Sequence, residues 1–144
     1  MFLRVNLKEV KTLEDWKIKV SVLWLIYGGA SLAIGILGIF ELGVLEHFIA
    51  TGEIMGEQIG PETLLVLAFF LLVPFVIAFL PLTLKDSINR WTNIILGIVF
   101  AVFGLMSPVE YLANQSAYLA YMTLIGIVQV VATVLIVWYA WKWK

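Results

Sequence analysis

The chain reads as an all-α integral membrane protein, a four-transmembrane-helix bundle threaded up-down-up-down as one domain over residues 1–144. Three observations predict this. Hydrophobic residues make up 62% of the chain and charged residues 13%, against roughly 45–50% and about 25% in soluble domains. A water-soluble chain of this length cannot hide so much apolar surface. Four apolar runs, about 20–40, 63–84, 91–106 and 117–138, are long enough at about 1.5 Å per residue for a hydrocarbon core of about 30 Å. Third, the basic residues partition: Arg4, Lys8, Lys11, Lys17 and Lys19 precede the first run, Lys85 and Arg90 separate the second from the third, and Lys142 and Lys144 follow the fourth. The other two connections hold Glu41, Glu46, Glu53, Glu57, Glu62 and Glu110 and no basic residue. The positive-inside rule then places both termini in the cytoplasm and two acidic loops outside, in a multi-pass protein of the cytoplasmic (plasma) membrane.

Composition also excludes. With no cysteine, disulfides, thiolate catalysis and Cys-based metal sites fall away. A net charge of -1 offers no basic field to nucleic acid. The first apolar run lies behind a mixed-charge segment and is too long for a signal-peptide core, so it is expected to stay as an anchor.

Taken in order, residues 1–19 mix Phe2, Leu3, Val5 and Leu7 with Arg4, Lys8 and Lys11, which suits a cytoplasmic amphipathic segment on the leaflet surface or a partly ordered tail. Thr12-Leu13-Glu14-Asp15 resembles a helix start. Along the first run, Gly28, Ser31, Gly35 and Gly38 share one helix face. Small residues let helices approach closely in a bilayer, so packing within the bundle is the first reading and a subunit interface the second. The outer loop 41–62 holds Leu42, Leu45, Phe48 and Ile49 at helical spacing. It reads as a continuation of the first helix or a short surface helix ending near Thr51-Gly52, followed by an irregular stretch punctuated by Gly56 and Gly60.

The second run opens at Pro61, where a missing N–H costs a helix nothing. Pro74 removes a backbone hydrogen bond near mid-membrane; the kink shapes the bundle, or its freed carbonyls line a cavity. The third run is the shortest, with Ser107-Pro108 expected to end it and Asn89 or Ser87 to cap its start. In the fourth, Gln129 is the one strongly polar side chain deep in a span, with Thr133 one turn later; such groups face the protein interior or a wet cavity. An interhelical hydrogen bond is the plainer role for Gln129 and a substrate-facing amide the other. All six tryptophans, Trp16, Trp24, Trp91, Trp138, Trp141 and Trp143, favour the inner side and read as a headgroup belt. A faint echo between the Leu37-Gly38-Ile39 and Phe103-Gly104-Leu105 regions, with Trp24 and Trp91 in comparable places, allows two related hairpins.

Glu41, Glu46 and His47 form the only cluster resembling metal ligands, but neighbouring Glu and His point to different helix faces and no second His exists. No metal is expected. No acid pair, nucleophile–base arrangement, phosphate loop or cofactor signature occurs, so neither an enzyme nor a cofactor is expected.

At the second cytoplasmic turn, Asn89-Arg90-Trp91-Thr92-Asn93-Ile94-Ile95 with Gly97, together with Pro74 and the closing Val137-Trp138-Tyr139-Ala140-Trp141-Lys142-Trp143, resembles an uncharacterised family of small four-helix bacterial and archaeal membrane proteins. The resemblance implies the four-helix fold and no activity. On physical grounds Arg90 reaches anionic headgroups, Trp91 sits in the inner belt and Asn93 bonds an adjacent helix end. The alternative is a shared inner-face site. The functional expectation is a protein that binds or moves a small or lipophilic molecule as a homo-oligomer in the lipid bilayer. The alternative is a structural or accessory subunit packed against a larger membrane complex.

Overall fold

A computed structural model of the protein describes residues 7–54 and 56–142. Within them lie α1 (Leu7–Ile39), α2 (Val44–Thr51), the strands β1 (Glu53–Ile54) and β2 (Glu57–Gln58), α3 (Pro61–Thr83), α4 (Asp86–Ala113) and α5 (Leu119–Lys142). Four of the helices are long and apolar enough to cross a membrane: α3, α4, α5 and α1 from Asp15 onward. The fold is all-helical apart from one short hairpin.

Several boundaries differ from expectation. α1 does not start at Thr12 but runs unbroken through it, since residues 7–19 hold no Gly or Pro to interrupt good helix formers. Phe2, Leu3, Arg4 and Val5, expected on the leaflet surface, lie outside the described residues, as do Trp143 and Lys144. α4 passes through Ser107-Pro108 and ends at Asn114, not at 106. A proline ends a helix only where nothing else holds it, and α5 packs on this one: Pro108 Cγ lies where a Cβ on Gly126 would be, 2.4 Å away. The N-cap of α4 is Lys85, with no side-chain bond, rather than Ser87 or Asn89.

The outer connection forms the short helix, not an extension of α1. Gly43 at φ 86° and Gly52 at φ 73° bracket α2, and the Gly52 N–H reaches Phe48 O at 2.8 Å. The stretch expected to be irregular is a hairpin, Glu53 pairing with Gln58 and Ile54 with Glu57. Gln58 Nε2 donates to Glu53 Oε1 (3.0 Å) and Thr63 Oγ1 to Gln58 O (3.1 Å), tying the hairpin to α3.

α1 and α5 form the centre of the bundle. α3 packs on α1 and α4 on α5, while α3 and α4 scarcely meet. Contacts along α1 fix the register. Lys17 Nζ meets Asp86 Oδ1 at 2.6 Å and Ser21 Oγ donates to Ala78 O at 2.5 Å. Next come Trp24 with Asn93, Tyr27 with Phe100, and Ser31 with Gln129. At the far end Glu41 accepts from Tyr111 (2.8 Å) and from Tyr121. The core of Trp16, Val20, Trp24, Tyr27, Ile77, Ala78, Ile94, Ile136 and Ala140 fills the half nearer Lys17 and Asp86. The described basic residues gather at that same end, Lys19 over Tyr139, Arg90 over Trp141 and Lys142 over Trp138. Two tryptophans expected in the belt, Trp16 and Trp24, are buried core; Trp91, Trp138 and Trp141 remain at the surface. Trp24 and Trp91, paired in the sequence echo, therefore sit in unlike surroundings.

Candidate functional site

The buried half of the bundle is tight because its polar groups close on one another. Trp24 Nε1 donates to Asn93 Oδ1 at 2.8 Å. Asn93 Nδ2 donates to Asn89 O (2.8 Å) and Oδ1 (2.6 Å), and Asn89 Nδ2 to Pro81 O (2.7 Å). Both amides are fully buried. Pro81 lies in the last turn of α3, where carbonyls have no following helical N–H. Asn89, and not Asn93, thus bonds the neighbouring helix end.

The other half opens. All the buried residues of α3 lie between Pro74 and Pro81; from Pro61 to Val73 it has none. Pro74 has no N–H to give Phe70 O four residues earlier, so α3 loses a hydrogen bond where it leaves the core. Beneath that outer half lies a cavity of about 240 Å³. Tyr27, Ser31 and Ile34 of α1 line it, with Leu67, Phe70, Leu71 and Pro74 of α3, Phe100, Phe103 and Ser107 of α4, and Gln129 of α5. Among the described residues no charged side chain lines it. Tyr27 and Phe100 meet edge-to-face at 5.3 Å and close the floor over Trp24, itself 5.3 Å from Phe100.

The polar groups have defined directions. Ser31 Oγ gives its proton to Tyr27 O at 3.1 Å and accepts from Gln129 Nε2 at 3.0 Å. Tyr27 Oη donates to Phe100 O at 3.0 Å. Gln129 is 4% exposed, and among the described residues nothing donates to its Oε1.

The structure thus brings Gln129, Pro74 and Ser31 together at one cavity. Thr133 is buried but donates within its own helix, to Gln129 O (3.0 Å) and Val130 O (2.9 Å), and Asn93 belongs to the polar core; neither lines the cavity. Of the small-residue stripe, Gly28 packs against Phe75, where a Cβ would meet the ring at 2.9 Å, while Gly35 and Gly38 have nothing within 4 Å. Close helix approach occurs at Gly97, Gly104 and Gly126 between α4 and α5, which the stripe did not indicate. Arg90 lies 5.9 Å from the Trp91 ring centroid and 5.8 Å from that of Trp141. Trp91 is exposed, as an interfacial anchor would be. Tyr27, Phe100 and Phe103 were missed as site residues. Tyr27, a hydroxyl one turn before Ser31 in an apolar run, was the available signal. Among the described residues no group of three His, Cys, Asp or Glu could hold a metal.

Four helices long and apolar enough to cross a membrane, with a small aromatic-walled cavity under one of them, define the class: a small all-helical protein of membrane-spanning type. Within it the chain belongs to a family of unknown function (DUF6326), matched over residues 7–144. No curated protein and no solved structure matches the chain.

Proposed function

We propose that the protein crosses the cytoplasmic membrane four times, up-down-up-down with both termini inside, and binds or moves a small lipophilic molecule through the cavity under α3. The cavity carries this reading. Its walls are apolar and aromatic, with one buried amide to orient a guest, the usual make-up of a small-molecule site. An apolar cavity of about 150 Å³ already accepts benzene, so about 240 Å³ holds a ring with a short chain. The gap between α3 and α4 leaves such a guest a lateral way in from lipid. Among the described residues the lining carries no charged side chain, and its one titratable group, Tyr27, is held on Phe100 O, which supports a binding or transport role over catalysis. A homo-oligomer belongs to the same proposal, since the α1 face at Gly35 and Gly38 has no close neighbour within the described residues.

The rival is an accessory subunit whose bare α1 face packs on a larger complex. Native mass spectrometry of protein taken directly from membranes separates the two. A defined oligomer with a retained lipid-like mass supports binding. A bare monomer that co-purifies with an unrelated membrane protein supports the accessory role.

A further inference from the structure

The hydrogen-bond directions around the cavity select a ligand chemistry. A hydroxyl has one proton, and those of Tyr27 and Ser31 are spent on the carbonyls of Phe100 and Tyr27. Ser31 Oγ, its proton on Tyr27 O, accepts from Gln129 Nε2. In this arrangement Oε1 is turned away from Ser31, without a donor among the described residues. Thr133 does not supply one, because its hydroxyl points to backbone carbonyls of its own helix. Oε1 is therefore an acceptor free for a guest, and one that donates to it gains a hydrogen bond that one without a donor does not. Ser107 adds a hydroxyl that serves in either sense. With no charged residue in the lining, an ionised head would lose its hydration uncompensated.

We infer that the cavity takes a neutral lipophile bearing a hydroxyl, a phenol or alkanol head whose O–H donates to Gln129 Oε1 and whose tail leaves between α3 and α4. The inference rests on the cavity-binding reading proposed above and deepens it. At about 240 Å³ the cavity is smaller than the roughly 300–1,000 Å³ of drug-sized sites and open on one side, so it seats the head and not a whole long-chain lipid.

The test uses the full-length protein in nanodiscs and two probes of nearly equal shape, 4-propylphenol and its methyl ether. Binding of the phenol to wild type should be about tenfold tighter than that of the ether, the worth of one good hydrogen bond. Gln129→Met keeps the shape, removes the acceptor and should bring the ratio close to that set by partitioning into lipid alone. Ser31→Ala frees the amide to turn its N–H groups to the guest, and should raise ether binding while the protein stays folded. Equal binding of both probes to wild type, or a ratio unmoved by both substitutions, overturns the hydroxyl assignment and leaves the cavity reading intact. Binding of neither probe removes both.

Discussion

The amide of Asn89 donates to Pro81 O at 2.7 Å, and in turn receives Asn93 on its own side-chain oxygen. One buried residue thus finishes α3 while belonging to α4. Replacing it by leucine strands the Pro81 carbonyl and leaves the Asn93 amide only its bond to Asn89 O, so Asn89→Leu should destabilise the protein by about 1–3 kcal/mol. Reversible denaturation in mixed micelles reads this, and a change within error would refute the capping role. The glycines give a sharper contrast. A methyl on Gly126 meets Pro108 Cγ at 2.4 Å and Gly104 O at 3.2 Å, whereas one on Gly35 or Gly38 meets nothing within 4 Å. Gly126→Ala should cost about 1–3 kcal/mol through overpacking, and Gly35→Ala should be neutral or mildly stabilising. The sequence marked Gln129 as interior because lipid does not tolerate a bare amide, and gave Asn93 a helix end to bond. It left Gly126 unmarked, since only the facing Pro108, distant in the chain, makes that glycine necessary.

At the scale of elements, α3 is half core and half wall. Pro74 marks the change, buried against α1 and followed by the buried Ile77, Ala78 and Pro81, while the preceding turns have no buried residue. Pro74→Ala restores an N–H to Phe70 O and should let the outer half of α3 straighten. A straighter α3 changes the cavity wall formed by Leu67, Phe70 and Leu71. We expect weaker binding of 4-propylphenol with unchanged or raised thermal stability; unchanged binding would show that the proline does not hold the cavity open. That Pro74 interrupts a span was legible from the chain, because the missing donor is a property of the residue itself. Which side of the break faces a void was not, because it depends on α3 and α4 failing to pack. The ends of α1 and α4 were misjudged for a related reason: Thr12 and Ser107-Pro108 are local stop signals overruled by the longer helix around them.

For the whole molecule, the partition of charge predicts orientation, and a chain without cysteine is a clean background for labelling. A membrane-impermeant maleimide should label Gln115→Cys in intact cells and Lys85→Cys only after permeabilisation. The reverse pattern would invert the proposed topology. The four spans were readable because a bilayer demands long apolar helices and little else, and the described basic residues do collect at one end of the fold. The order of the helices around α1 and α5 was not readable, because nearly uniform apolar surfaces carry little pairing information. The cavity comes from that order. Its most direct test is 4-propylphenol binding to wild type and to Leu67→Trp, which fills the cavity from the α3 side and leaves Gln129 and Ser31 unchanged. Saturable binding to wild type that falls at least about tenfold in the folded variant, the loss expected when an apolar site is filled, is the predicted result. Equal binding to both proteins, or none to wild type, would contradict a ligand site under α3.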